Sequence, residues 1–434
     1  MRFLAAFFIL VLANASPPQG IRGRVVDEVT RKPIEGAWVV AGEVVTRTRP
    51  DGTFEAAANK PDQVRVRAVG YARVSVAGDI KKDVGLTPLR VRGLYLSFWG
   101  AGSKLIRSHV LDTAAKAHLN AIVVDIKGDR GFISCPIHSD LAKEAGANRV
   151  VTMPDPAAFV DDLHKRGLYV IGRIVVFKDN PVARARPDLA VKTGSGGLFI
   201  DREGLGWTDP FDRRVWDYNI QIALEAARNG FDEIEYDYVR FPDRKDLRFA
   251  KESTEANRRE AISGFLELSR NKLALRNVAL SVDNFGYVCW NLNDTGIGQC
   301  LADSGAFADY LSPMLYPSSF QFGIPGLRNP VSDPYKIVHA SLERAKQRTG
   351  YAGIVFRPWL QAFSDYAFDH RKFGLTQLEQ QIRAAEDSGA SGWLLWDPRN
   401  VYDPPALAQL APRLWWKSPP ERGGTLDTGK PSSR

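Results

Sequence analysis

The sequence predicts an α/β protein whose larger part is a (β/α)₈ TIM barrel, preceded by a small all-β sandwich domain. Three observations lead to the barrel. Eight apolar, strand-like runs alternate with amphipathic helical stretches between residues 90 and 412. The runs are apolar almost without interruption, the mark of parallel strands buried on both faces rather than one. No G-x-G-x-x-G motif follows the first run, and "GSGG" at 194–197 lies in a loop, so a doubly wound dinucleotide fold is disfavoured.

The β domain covers residues 21–87. Short alternating segments, "IRGRVVD", "GAWVVAG", "GTFEAA", "QVRVRAVGY" and "ARVSVAG", are separated by turn signals such as Lys32-Pro33 and Asp51-Gly52. From residue 90 the rhythm changes. The first run, "RGLYLSFWG" (92–100), leads to a helix ending near Ala117. "AIVVDIKGD" (121–129) precedes a helix at 155–166, and "YVIGRIVVF" (169–177) precedes one at 214–229. "EIEYDYVRFP" (233–242) is followed by a long helix at 255–276. "ALSVDNFGY" (279–287), "YLSPMLYP" (310–317), "GIVFRPWLQ" (353–361) and "GWLLWDP" (392–398) complete the eight, with helices near 334–347 and 375–388.

The two ends read differently. "MRFLAAFFILVLANA" has Arg2, an apolar run from Phe3 to Leu12 and the small-x-small pattern Ala13-Asn14-Ala15, a signal peptide over residues 1–15. The expected location is therefore secreted, periplasmic or extracellular. The apolar run is far shorter than the roughly 20 residues of a membrane span, so none is expected. Residues 413–434, rich in Pro, Gly, Ser and charge, have too little apolar content to fold and are expected to be disordered.

Composition narrows the chemistry. A net charge of +8 spread over 434 residues, with no basic helix or arm, gives no nucleic-acid footprint. Six histidines without H-x-x-H spacing and three scattered cysteines provide no zinc site, so no metal or cofactor is implied. Cys289 and Cys300 flank a short loop and are the pair best placed for a disulfide, with three free buried thiols the equal alternative. No G-x-S-x-G elbow, P-loop or Cys/His pair is present, which leaves carboxylates as the reactive groups.

Barrel active sites lie at the C-terminal ends of the strands, so the polar residues late in each run are the candidates. On the fourth strand, alternation puts Glu235 and Asp237 on the inner face and Ile234, Tyr236 and Tyr238 on the outer one. Asp283 holds the equivalent place on the fifth. Strands about 4.8 Å apart let Asp237 and Asp283 face each other across a substrate-sized gap. Two carboxylates flanking a bond, one nucleophile and one proton donor, are what glycosidic cleavage requires. The catalytic candidates are thus Asp237, Asp283 and, in support, Glu235. Trp99, Asp125, Lys127, Arg240, Tyr316, Arg357, Trp396 and Asp397 stand around them as substrate-binding candidates, with Trp359 a further aromatic. A carbohydrate is the expected partner, since aromatic faces suit sugar rings.

Two resemblances agree with this reading. The pieces "RGLYLSFWGAGS", "NAIVVDIKGDRG", "GLYVIGRIVVFKD", "GFDEIEYDYVRFP", "YLSPMLYPSSF" and "GWLLWDPRNVY" resemble a glycoside hydrolase barrel of bacterial secreted proteins, distantly akin to α-amylase-type barrels. The α-amylase comparison implies an Asp nucleophile ending strand four, here Asp237. The chain departs from it in carrying Asp283 where the strand-five acid is usually Glu, and "E-Y-D" in place of "R-x-D". In the β domain, Gly23 to Asp27, "PIEGAWV", "DGTF" and Gly70-Tyr71 resemble the carboxypeptidase regulatory-like sandwich, which implies a spacer or binding module. The competing expectation is a catalytically inactive carbohydrate-binding or cell-envelope scaffold protein that keeps the aromatic cleft without a competent acid pair.

Overall fold

The computed structural model describes residues 20–58 and 61–414. The predicted signal peptide, and all but the first two residues of the predicted tail, lie outside the described residues. Two sheets make the N-terminal domain. In the smaller one, Ile21–Asp27 runs between Thr53–Ala56 and Val84–Leu86; the larger one has the order Val44–Arg47, Trp38–Ala41, Gln63–Arg67, Val74–Ala77. Val25, Val39, Phe54, Val64, Val66 and Leu86 pack between them. The Asp51-Gly52 turn forms as expected: Asp51 Oδ1 accepts from Thr53 N at 2.9 Å. Gly52 there has φ +79°, and a Cβ would sit 2.5 Å from the Val25 carbonyl, so no other residue fits without strain.

Eight parallel strands close into a barrel. In order they are Val91–Leu96, Ala121–Lys127, Tyr169–Val175, Glu233–Asp237, Ala279–Phe285, Tyr310–Met314, Trp359–Gln361 and Gly392–Trp396, called barrel strands one to eight below. The predicted runs all correspond to strands. Strand seven is shorter than its apolar run because residues Gly353–Val355 turn as a 3₁₀ segment first. Outer helices Lys104–Lys116, Pro156–Lys165, Arg213–Arg228, Glu255–Ala274 and Pro334–Thr349 begin on Ser103, Asp155, Asp212, Thr254 and Asp333. Each of these side chains accepts from a first-turn backbone N–H. Two further helices, Leu375–Asp387 and Pro404–Leu414, complete the shell. No helix among the described residues is long and apolar enough to cross a membrane.

Alternation sorts the strand residues into two environments. Ile122, Val124, Ile174, Ile234, Tyr236, Leu280 and Val282 pack outward against the helices. Val91, Tyr95, Val123, Ile171, Trp359 and Leu394 fill the barrel interior. The N-terminal domain sits on the floor, where the strands begin. Arg67 pairs with Asp309 at 2.5 Å, Arg73 with Asp232 at 2.8 Å, and Gly70 N donates to the Tyr310 hydroxyl at 2.8 Å. The mouth at the opposite end is left uncovered by this domain.

Candidate active site

Arg173, the central inward residue of strand three, organises the mouth. Its guanidinium contacts Asp237 Oδ2 through Nε (3.1 Å) and Nη2, Asp125 Oδ1 through Nη1 (2.7 Å) and Asp129 Oδ1 through Nη2 (2.8 Å). Asp283 Oδ2 lies 4.0 Å from the same Nε. Four strands thus aim charge at one point. Burial would lower the Arg173 pKa, but Asp129, Asp237 and Asp125 outweigh it and hold the guanidinium well above its ordinary value.

The carboxylates differ in their surroundings. Asp237 Oδ1 accepts from Tyr238 N at 2.5 Å, and Tyr238 takes φ +49°, a left-handed backbone that a bulky residue adopts only under constraint. The strain lies directly after the candidate nucleophile. Asp283 Oδ1 accepts from the Trp359 indole at 2.7 Å, while its Oδ2 has no hydrogen-bond donor. Burial, then Glu235, then Asp237 push the Asp283 carboxyl well above its ordinary range. Asp125 accepts from the Tyr95 hydroxyl at 2.6 Å and Phe98 N at 3.1 Å, and burial lifts it to about 6 in spite of Arg173. Since Asp237 Oδ2 and Asp283 Oδ2 are 3.1 and 4.0 Å from one nitrogen, their separation is at most about 7 Å, and the two carboxyls are close neighbours.

Aromatic rings wall this cluster. Trp396 stacks on Tyr95 at 3.9 Å and meets Trp359 edge-on at 5.3 Å, and Arg173 lies 4.9 Å from the Trp396 ring centre. Tyr316 is buried against the same interior and meets Phe363 edge-on. Asp283 and Asp237 add to burial in raising its phenol. Trp99 stands on the rim after strand one with 57% of its surface exposed. Arg240 is half-buried beyond strand four, its guanidinium over Trp207 and Tyr238 and its Nη1 donating to Phe241 O at 2.9 Å. It does not pair with Asp237; Arg173 takes that role.

Three predicted binding residues stand elsewhere. Lys127 was expected inward beside Asp125, but the register between strands two and three shifts after Arg173, and this bulge turns Lys127 outward. There it is fully buried, donating to Asp179 at 2.7 Å, Asn219 at 2.8 Å and Val176 O at 3.1 Å. Arg357 precedes strand seven and lies at the floor, clamping Glu233 at 2.7 and 2.8 Å. Asp397 folds back onto the backbone N–H groups of Arg399 and Val401, anchoring a turn. Of the two readings of the cysteines, free thiols hold: Cys289, Cys300 and Cys135 are all unpaired with one another.

Sequence reasoning missed Arg173 and Tyr95 as site residues. The signal for Arg173 was present: a lone cation at an inward position of the otherwise apolar "YVIGRIVVF". An unpaired charge cannot be buried there, so it had to meet the acids of neighbouring strands. Among the described residues no group of three or more His, Cys, Asp or Glu side chains could hold a metal ion.

Residues 93–402 match the family described as "Putative glycosyl hydrolase domain". The chain belongs to this family. By family the protein is a glycosidase, and the barrel is its hydrolase domain. Among solved structures, the glycoside hydrolase domain of PgaB (BpsB) from Bordetella bronchiseptica is 13% identical, with TM-score 0.56 over 76% of this chain and 99% of that one. A β-galactosidase from Marinomonas ef1 is 11% identical, with TM-score 0.53 over 74% of this chain and 59% of that one. Both likenesses are of fold. A hypothetical protein from Ruminiclostridium thermocellum is 38% identical over 44% of this chain and 96% of that one, with TM-score 0.39. Among curated proteins none matches the chain.

Proposed function

We propose that the protein hydrolyses O-glycosidic bonds of a poly- or oligosaccharide outside the cytoplasm, with Asp237 as nucleophile and Asp283 as acid/base. The observation that carries this reading is the unlike setting of two neighbouring carboxyls. Asp237 is held by the Arg173 guanidinium, and Asp283 is buried with one oxygen free of donors. One suits attack as a carboxylate and the other suits proton donation.

Asp237 attacks the anomeric carbon as the glycosidic C–O bond breaks, and the leaving oxygen takes the proton of Asp283. Water then gives its proton to Asp283 and its oxygen to the anomeric carbon, which releases Asp237. Arg173 and Tyr238 N stabilise the Asp237 carboxylate, which makes it the better leaving group in this second step. Arg173 also keeps Asp125 and Asp129 from repelling it. Trp396 and Trp99 offer the apolar faces on which sugar rings stack, inside the mouth and on its rim. The signal peptide read at residues 1–15 supports export, and the sandwich resembling a regulatory-like domain supports a spacer role on the barrel floor.

The test is release of reducing ends from a panel of polysaccharides by wild type, Asp237→Asn and Asp283→Asn. Wild type is expected to act on at least one polymer, and Asp237→Asn on none. Asp283→Asn is expected to lose about 10²–10⁴-fold on natural linkages. It should recover on aryl glycosides whose leaving group needs no proton. A wild type inert on every polymer, or an Asp237→Asn variant of full activity, overturns the assignment.

A further inference from the structure

We propose that a polysaccharide chain lies along one half of the mouth and is cut internally, and that Tyr366, backed by Phe363 on a loop fixed by Asp365, is the sugar platform at one end of its path. This rests on the glycosidase reading of the mouth and extends it.

The closed barrel divides its mouth in two. Strands two to five, consecutive neighbours, bring the charged groups: Asp125, Asp129, Arg173, Asp237 and Asp283. Strands six, seven, eight and one close the other half and bring rings. Tyr316 follows strand six, Trp359 and Trp396 lie on seven and eight, and Tyr95 and Trp99 lie on and just after one. The halves meet where the Trp359 indole donates to Asp283 Oδ1 at 2.7 Å. A chain stacked on the aromatic half therefore has the acids along its other side.

The aromatic half continues beyond the buried rings. Tyr316 meets Phe363 edge-on at 5.5 Å, and Phe363 stacks on Tyr366 at 6.1 Å with the ring planes 15° apart. Burial falls along this series. Tyr316 is buried, Phe363 is half-buried, and Tyr366 is 52% exposed, which leaves its ring open on the side away from Phe363. At the other end of the half stands Trp99, also more than half exposed. Both ends thus reach the rim in an exposed ring, so a chain can enter over one and leave over the other. That geometry suits internal cleavage, whereas a site for chain ends is closed on one side.

A single exposed tyrosine on a loop is ordinary. This one sits on a loop built around a buried carboxylate. Asp365 Oδ1 accepts from Ser318 Oγ at 2.7 Å and Ala367 N at 3.1 Å, and its Oδ2 accepts from the N–H groups of Phe368, Asp369 and His370 at 2.8–2.9 Å. Asp365 N closes the loop by donating to Arg371 O at 2.9 Å. Ser318, on the loop after strand six, also accepts from Gln361 Nε2 at 2.7 Å, and the Ser319 hydroxyl lies 3.2 Å from that of Tyr366. Two loops are thereby locked together beside one exposed ring. Burying a carboxylate is unfavourable unless its oxygens are met by donors, and here the donors that meet it fix the loop bearing Tyr366. A platform ordered in advance loses less freedom when sugar binds. Asp365 is a positioning residue that acts through Tyr366.

Two measurements test this. In the first, Asp237→Asn is run through native gels containing soluble starch, xylan, mixed-linkage β-glucan, glycol chitin or chitosan, so that binding is read without cleavage. At least one polymer should retard it. Adding Tyr366→Ala should weaken that binding about 3–10-fold, the scale of one lost aromatic contact. Tyr366→Phe, which keeps the ring, should hold it. Retardation by no polymer, or equal retardation with and without Tyr366→Ala, overturns the platform.

In the second, wild type acts on the polymer it cleaves fastest. Viscosity should collapse while few reducing ends have appeared; a fall only in step with reducing ends overturns internal cleavage. Tyr366→Ala and Asp365→Asn should each raise KM for that polymer with kcat largely kept, and an aryl glycoside of one sugar should lose far less. The double variant should be no worse than Asp365→Asn alone. Equal losses on polymer and aryl glycoside, or additive losses in the double variant, overturn the positioning role of Asp365. If wild type cleaves no polymer, the glycosidase reading fails, and the gels still decide whether Tyr366 holds sugar.

Discussion

The barrel's two ends are built from the same residue types and balance their charges in opposite ways. At the floor every buried acid has its own cation. Glu233 is clamped by Arg357 and receives the Tyr169 hydroxyl at 3.0 Å; Asp232 meets Arg73 and His164; Asp309 meets Arg67. Burial raises Asp232, but Arg73 and His164 outweigh it and leave its pKa below the ordinary value. At the mouth a single guanidinium faces four aspartates, and Glu235 is buried one inward position below Asp237 with no donor. Balanced pairs cost little once formed and fix geometry. An excess of buried acid keeps protons at neutral pH, and a held proton is what acid catalysis needs. Charge imbalance, rather than acid content, therefore separates the functional end from the structural one.

The comparison breaks most sharply at Asp237. Asp237→Asn should reduce turnover by at least about 10³-fold while the thermal midpoint stays near that of wild type, because Asp125 and Asp129 still pair with Arg173 and the one amide oxygen of Asn can accept from either Arg173 or Tyr238 N. The check is kcat beside a melting curve. Equal losses in both would make the mouth as structural as the floor.

Next comes the floor. Arg357→Met leaves Glu233 charged, buried and supported only by Tyr169, which should cost about 3–5 kcal/mol of stability. Its turnover per folded molecule should change little. The pair Glu233→Gln with Arg357→Met should regain much of the loss, since no uncompensated charge remains. Urea unfolding of the two variants measures this. A floor variant that stays stable but loses kcat would mean that Arg357 reaches the chemistry after all.

The position of Arg357 also shows what the sequence could and could not reveal. Eight strands, their inner and outer faces, and the neighbourhood of Asp237 and Asp283 follow from alternation and order alone. Height within the barrel does not. Arg357 was read at the mouth because its apolar run ends at Gln361, yet the strand begins only at Trp359, so Arg357 stands below it. A period of two from Asp125 places Lys127 inward, but the bulge that turns it outward leaves no mark in the residue pattern. Asp397 ends its run as a binding residue would, but an Asp before Pro closes turns as readily as it binds ligands. Arg173 is legible in principle, as the lone cation of its own apolar strand and at an inward position, but its partners come from three other strands and appear together only once the barrel closes.

Glu235 carries a stability signature of the mouth's imbalance. Its folded pKa, up to about 8, lies above its ordinary value of 4.5. Such a carboxyl contributes stability fully below the unfolded value and loses it as pH rises through the folded one. Wild type is thus penalised between about pH 4.5 and pH 8 relative to a neutral isostere. Glu235→Gln should be more stable near pH 8 by on the order of 1–3 kcal/mol, with the gain vanishing near pH 4. Chemical denaturation across that range tests the sign. A gain independent of pH would mean the two states of Glu235 titrate alike, and the mouth would be no more frustrated than the floor.

The smallest effect is expected at the rim, where neither charge nor burial is at stake. Trp99 follows strand one on the short helix Phe98–Gly102 and is more than half exposed, while Phe98 beside it is buried. An exposed indole contributes little to folding, so its worth lies in what it can stack against. Trp99→Ala should leave the melting temperature unchanged and raise KM for a polymeric substrate about 3–10-fold, the scale of one lost aromatic contact. kcat should hold, because the rim touches the chain equally in ground and transition states. Short substrates that end before the rim should show no change. If short and long substrates lose equally, Trp99 acts by shaping the Asp125 contact through Phe98 N, and the rim belongs with the mouth rather than outside it.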